Sequence, residues 1–253
     1  MTTPIRVIAR LDIKGENVIK GVHLEGLRVV GKPAVLAHRY FEQGVDELLY
    51  MDAVASLYGR NNLLPIVQEA ACDIFVPMTV GGGLRTLDDI KAVLRSGADK
   101  IAINTAAIMR PDFLREAAEV FGSQCIVLSV EAIRREPGAW EAMTDNGREK
   151  TGRQVLDWVQ EAESIGVGEI LLTSIDAEGT QKGFDLELIE EVSKRVSVPV
   201  IASGGAGGAS DVADMITATR SEAVACASVL HYDTCDVPDI KDALASAGHE
   251  VRR

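Results

Sequence analysis

Apolar runs of β type alternate with amphipathic stretches along the whole chain. The runs are Ile5–Leu11, Glu47–Met51, Ile74–Val80, Lys100–Ile103, Cys125–Val130, Glu169–Thr173, Val198–Ala202 and Ala223–Cys226. Each precedes a segment of helical periodicity, at 33–43, 60–72, 86–96, 110–121, 152–165, 184–195, 209–218 and 237–247. Strands that are apolar almost throughout, rather than at alternate positions, are parallel strands covered on both faces. Eight βα units in 253 residues predict one α/β domain, a closed (β/α)8 barrel over 1–253, with a doubly wound sheet as the runner-up.

Two segments interrupt the alternation. Residues 13–32 form a long first βα loop, which reads as a lid. Arg134–Lys150 follows the fifth strand and contains Asp145-Asn146-Gly147, a turn signal that predicts a hairpin over the strand ends. The chain also repeats. Val76-Pro77 and Gly81–Gly83 correspond to Val198-Pro199 and Gly204-Gly205, and Ala102–Ile108 lies over Val224–Leu230 at the same offset of 122. Glu47 lies over Glu169, and Asp12 over Glu131 at an offset of 119. The barrel is therefore expected to have twofold half-barrel pseudo-symmetry, with halves of about 1–122 and 123–253.

Composition narrows the function. There are 38 acidic and 26 basic residues, a net charge of −12, which argues against a nucleic-acid surface. No apolar run reaches the length of a membrane span and no signal peptide opens the chain, so a cytoplasmic protein is expected. Cys72, Cys125, Cys226 and Cys235 are scattered; they read as reduced thiols without a metal site.

Three groups of residues carry chemistry. The glycine-rich turns Gly81–Gly83 and Ser203–Gly208 each follow a strand, and the next strand of each half ends in Asn104-Thr105 or Ala227-Ser228. Loops after barrel strands seven and eight commonly hold a phosphate, and the repeat places an equivalent pair after strands three and four. A ligand with a phosphate at each end would suit them; the alternative is that the glycines only make tight turns. Asp12 and Glu131 end their strands on opposite sides of the mouth, placed to share acid and base work or else to make ion pairs, Asp12 with Lys20. Arg6, Glu47, Lys100 and Glu169 open the first, second, fourth and sixth strands, where two charges of each sign could form a ring across the barrel bottom or a purely structural plug. Asp52 and Asp176 could bind a ligand hydroxyl or pin a loop, and Trp140 and Trp158 read as hairpin and helix packing.

These residues resemble a known family. Arg6-Val-Ile-Ala-Arg-Leu-Asp12, Lys20-Gly21, Thr79–Gly83, Gly97–Ala107, Phe121–Gln124, Gly168–Asp176, Gly179-Thr180 and Ile201–Gly207 together look like the cyclase subunit of imidazole glycerol phosphate synthase, from histidine biosynthesis. The resemblance covers nearly the whole chain. It implies a lyase that needs no cofactor or metal. It also implies a glutaminase partner docked at the N-terminal face of the barrel, which supplies ammonia. The substrate is a bis-phosphorylated ribulosyl formimino aminoimidazole carboxamide ribotide, converted into imidazole glycerol phosphate and aminoimidazole carboxamide ribotide. Asp12 and Glu131 take the catalytic positions. Lys20, Gly82, Gly83, Asn104, Thr105, Thr173, Gly179, Ser203, Gly204, Gly205, Ala227 and Ser228 take the substrate and phosphate positions, and Arg6, Glu47, Lys100 and Glu169 the ammonia gate. The chain departs from the family at the catalytic face. Glu131 and Glu178 replace aspartates, Arg10 stands where a small or thiol residue is usual, and Val22–Gly26 replaces an Asn-Phe type lid. Those departures leave two alternatives: a paralogue that uses ammonia on another substrate, such as a surface-sugar precursor, or a catalytically weak barrel that binds the partner.

Overall fold

In the computed structural model, which describes residues 3–54 and 63–252, the chain enters a β-sheet almost at once. Eight parallel strands form the sheet: β1 (Arg6–Lys14), β4 (Glu47–Asp52), β5 (Met78–Gly81), β6 (Lys100–Ile103), β7 (Ile126–Glu136), β10 (Glu169–Ser174), β11 (Val200–Ser203) and β12 (Ala223–Cys226). They pair in chain order, and β10 pairs with β7 while β12 pairs with β1, so the sheet closes on itself. The helices α1 (Pro33–Glu42), α2 (Leu64–Asp73), α3 (Leu87–Arg95), α5 (Asp112–Phe121), α6 (Val155–Ile165), α7 (Leu186–Arg195), α8 (Ala209–Ala218) and α10 (Val237–Ser246) cover the outside. This is the expected (β/α)8 barrel, with no doubly wound sheet.

Local chemistry explains the element ends. Thr86 and Asp236 close capping boxes at the starts of α3 and α10, each side chain accepting the backbone N–H three residues on. Gly166 ends α6 in the left-handed region, where the missing side chain removes the steric cost. The expected strand at Ile74–Val80 begins only at Met78, because Pro77 has no N–H to give a ladder. The expected helix 60–72 is observed from Leu64, and its residues 60–62 lie outside the described residues.

Inside the barrel, Ile8, Leu49, Ala102, Val127, Leu171, Ile201, Ala223 and Ala225 form a separate apolar layer. The larger core lies between the outer face of the strands and the helices, and includes Trp140, Trp158, Tyr40 and Phe113. Both tryptophans pack as the sequence indicated, with Trp140 Nε1 donating to Asp185 Oδ2 at 3.1 Å.

Two strand pairs ride above the mouth. The expected lid loop is a hairpin, β2 (Asn17–Val22) and β3 (Glu25–Gly31), whose turn residues His23 and Leu24 both have positive φ. Such a turn suits a twisted hairpin, but its usual Asn-Gly signature is missing, so the pattern read as a loop. The insertion after the fifth strand is a hairpin as expected, β8 (Ala139–Thr144) and β9 (Glu149–Gln154), with Asp145, Asn146 and Gly147 all in the left-handed region. The two hairpins meet where Leu24 packs on Met143 and Ile175 and Asn146 Nδ2 donates to the Leu24 carbonyl at 3.3 Å.

Leu171 is fully buried at the centre of the interior layer. Leu171→Ala should lower the unfolding free energy by about 2–5 kcal/mol in urea titration, since a rigid barrel wall cannot collapse into the void. A loss below ~1 kcal/mol would mean that the interior is not closely packed.

Candidate active site

The closed sheet aims alternate residues of each strand into the bore, so Arg10 and Asp12 on β1 and Glu131 on β7 converge at the mouth. All three are buried. Arg10 Nε donates to Asp12 Oδ1 at 2.9 Å, and Arg10 Nη1 donates to Thr173 Oγ1 at 2.9 Å and Ser203 Oγ at 3.2 Å. Lys20 on β2 lies 3.5 Å from Asp12 Oδ2 and also pairs closely with Glu178. Glu131 Oε2 accepts the Gly147 N–H at 2.8 Å, so the β8–β9 turn holds the longer carboxylate in place.

The two carboxyls are pushed apart in acidity. Burial alone would raise Asp12, but Arg10 and Lys20 outweigh it and hold that carboxyl below its ordinary value. Burial raises Glu131 to about 7, and the Gly147 N–H and Arg10 oppose this only in part, while Asp12 and Asp145 add to it. Near neutral pH one group is an anion and the other is poised to hold a proton, which is how a pair of carboxyls divides base and acid roles. Burial, with help from Arg10, lowers Lys20 to about 8 against the pull of Asp12.

The glycine turns occupy the expected places. Gly82 and Gly83 have φ of 98° and 72°, and Gly204 and Gly205 have 94° and 113°. Each turn faces a one-turn helix that the sequence pattern missed, α4 (Thr105–Met109) or α9 (Ser228–His231). The residues before these helices share a rare backbone shape, Asn104 at φ −120°, ψ −85° and Ala227 at φ −128°, ψ −75°. The glycines also have a packing reason. A side chain on Gly82 would meet the Asp52 carbonyl at 2.5 Å, and one on Gly205 the Gly183 carbonyl at 2.1 Å.

The two turns differ in openness. Gly82, Gly83, Asn104 and Thr105 line a cavity of about 470 Å³ that also reaches Arg10 and Glu131. Gly179, Ser203, Gly204, Gly205, Ala227 and Ser228 line one of about 10 Å³, together with Glu178. That is room for about one water molecule. Asn104 donates through Nδ2 to the Met143 carbonyl at 3.0 Å, and its Oδ1 is buried without a partner among the described residues.

At the other end of the bore, Arg6 bridges Glu47 and Glu169, and Lys100 reaches both at 2.8 Å. The four side chains make a closed ring. Burial would raise Glu47, but Arg6 and Lys100 hold it low.

The remaining candidates have structural partners. Asp176 Oδ2 accepts the Arg134 N–H at 2.8 Å and Asp52 Oδ1 the Val54 N–H at 3.0 Å, so both pin loops. His23 in the first hairpin bonds the Ile175 carbonyl through Nδ1 at 2.9 Å. Sequence reasoning missed Gly147 as a partner of Glu131, which the Asp-Asn-Gly turn could have suggested. It also missed His231, buried and bonded to the Tyr40 hydroxyl at 2.6 Å. Burial lowers His231 to about 4, so it stands neutral behind Asp12. Among the described residues no group of three His, Cys, Asp or Glu could hold a metal ion, and no helix is long and apolar enough to cross a membrane.

Folding favours the protonated form of Glu131. Its contribution to stability is complete below the usual carboxylate range and fades as pH rises through about 7. From pH 4.5 to 8, wild type should therefore lose on the order of 3 kcal/mol relative to Glu131→Gln in denaturant titrations. Parallel stability curves for the two proteins would show that the group titrates normally.

Residues 6–236 match the family described as histidine biosynthesis protein. The chain is 64% identical to imidazole glycerol phosphate synthase subunit HisF of Legionella pneumophila over 203 residues, 80% of this chain and 96% of that protein. It is 46% identical to the protein of the same name from Corynebacterium diphtheriae over 258 residues, and 48% identical to that from Streptomyces griseus over 252 residues. Both alignments span the full length of each chain.

Proposed function

The chain belongs to the histidine biosynthesis protein family, and we propose that it works there as the cyclase subunit of imidazole glycerol phosphate synthase. The observation that carries this reading is the pair of unequal carboxyls, Asp12 and Glu131, between two glycine turns. The substrate is the bis-phosphorylated ribulosyl formimino aminoimidazole carboxamide ribotide, and ammonia is the second reactant. One phosphate rests on Gly82, Gly83, Asn104 and Thr105, where the cavity is open. The other rests on Ser203, Gly204, Gly205, Ala227 and Ser228, with Thr173 and Gly179 alongside. Filling this second site requires Glu178 to withdraw. Lys20, released from Glu178, is then free to meet the incoming anion.

The chemistry assigned to the carboxyls follows their environments. Asp12 is ionised and accepts a proton from the attacking nitrogen as it bonds to the substrate. Glu131 carries a proton near neutral pH and gives it to the leaving nitrogen as the ribotide departs. Burial keeps water from competing for the intermediate.

Ammonia comes from a glutaminase partner seated at the N-terminal face, where Arg6, Glu47, Lys100 and Glu169 act as its gate. Support lies in the cost of the ring. Two buried carboxylates and two half-buried cations stabilise a fold less than apolar packing would, so their presence argues for a role beyond closure. The word "subunit" in the relatives' names fits an assembly. The setting is the cytoplasm.

With ammonium salt as nitrogen source, Asp12→Asn and Glu131→Gln should each lower kcat by about 100- to 10,000-fold, as loss of an acid or base does. Asp12→Asn activity within threefold of wild type would remove Asp12 from proton transfer. Lys100→Met tests the gate with the glutaminase present. Glutamine-dependent product formation should fall by more than about tenfold while ammonium-dependent activity stays within about twofold, because the mouth is untouched. Equal losses with both nitrogen sources would reduce the ring to a structural plug.

A further inference from the structure

A guanidinium has five N–H donors in one rigid plane. Arg10 uses three of them. Nε donates to Asp12 Oδ1, and Nη1 donates to Thr173 Oγ1 on β10 and to Ser203 Oγ on β11. The two donors of Nη2 have no hydrogen-bond partner among the described residues. Arg10 is buried, yet Nη2 is not one of the sealed polar atoms. The side chain instead lines the open mouth cavity, along with Glu131 and the first glycine turn. Because the group is planar, tying Nε and Nη1 also fixes Nη2. Its donors are therefore aimed before a ligand arrives. Partly desolvated donors without acceptors are unfavourable, and a ligand oxygen in the cavity relieves them.

The cyclase reaction names the oxygen. To close an imidazole ring, the new nitrogen must bond to two substrate carbons, the ketone carbon of the ribulosyl chain and the formimino carbon. Of these, the ketone carbon carries an oxygen that gains charge. We propose that Arg10 is a catalytic residue whose Nη2 donors hold that ketone oxygen and stabilise it as ammonia adds. The inference rests on the cyclase reading. In the step, the ammonia nitrogen bonds to the ketone carbon and the carbonyl π pair moves to the oxygen. The nitrogen gives one proton to Asp12, while Arg10 keeps all of its protons and offsets the charge on the alkoxide. Glu131, on the same cavity, serves the other carbon, where the leaving nitrogen needs a proton. The cavity also touches Ala102 of the interior apolar layer, where a nitrogen coming up the bore would enter it. The small or thiol residue usual in the family at position 10 has no such pair of donors, so the contact is particular to this chain.

The test reads the carbonyl directly, without ammonia. Substrate labelled with ¹³C at the ribulosyl ketone is bound at saturation and followed by ¹³C NMR and isotope-edited infrared difference spectra. In wild type the carbon should resonate downfield, and its C=O stretch should lie lower, than in Arg10→Ala, because donors at the oxygen weaken the double bond. Arg10→Lys, which keeps a cation but not the fork, should fall between them. With ammonium salt, Arg10→Ala should lower kcat by about 100- to 1,000-fold, as loss of a donor to a developing oxyanion does. Asp12→Asn separates the two roles. It should lose turnover but keep the carbonyl shift, since the amide oxygen still accepts from Nε. A carbonyl that reads the same in wild type, Arg10→Lys and Arg10→Ala overturns the inference even if turnover drops, because a residue that only props Asp12 would leave the ketone untouched. A wild type that neither binds the substrate nor converts it with ammonium salt overturns the cyclase reading itself, and the inference with it.

Discussion

Pairing of β10 with β7 closes the sheet, and closure fixes everything that follows. A closed barrel of eight strands has an interior just wide enough for side chains. Each inward residue must therefore find its partners among the other inward residues, with no bulk water to help. Apolar side chains solve this at mid-height. At the two ends the chain places charges instead, and each charge has to be answered across the bore. The ring of Arg6, Glu47, Lys100 and Glu169 is one answer, and the group of Arg10, Asp12, Thr173 and Ser203 is the other.

Three of the four departures from the family pattern at the catalytic face each have a partner in the structure rather than standing as isolated changes. Arg10 adds a cation beside Asp12, and Glu178 adds length to the carboxylate that takes up Lys20. Without Glu178, Lys20 and Arg10 would crowd two cations around one aspartate. Glu131 reaches one methylene further than aspartate, and the Gly147 N–H meets it there. A longer carboxylate supported by a backbone donor is a placed group, which speaks against a site that has merely decayed.

Much of this was legible in the sequence because the barrel writes its pattern twice. Continuous apolar runs gave the strands, glycines and small polar residues marked the loops, and charges opening apolar runs marked the ring. What stayed hidden depended on spatial neighbours. The β2–β3 hairpin turns on His23 and Leu24, which carry no turn signature, so its conformation is set by contacts with Ile175 and Glu178. The short helices α4 and α9 are too brief to show a period. The inequality of the two glycine turns was equally invisible, since the loop after β10, with Ala177, Glu178 and Gly183, packs against only one of them.

The unequal carboxyls show how one kind of side chain takes two roles. Asp12 and Glu131 are both desolvated, and desolvation alone would push both toward the neutral acid. The difference lies in what each can reach. Arg10 and Lys20 give Asp12 two cations at close range, whereas Glu131 has one backbone N–H and a more distant share of Arg10. A cation stabilises a carboxylate more than a neutral donor does. Arg10, together with Lys20, thus sets which carboxyl is the base.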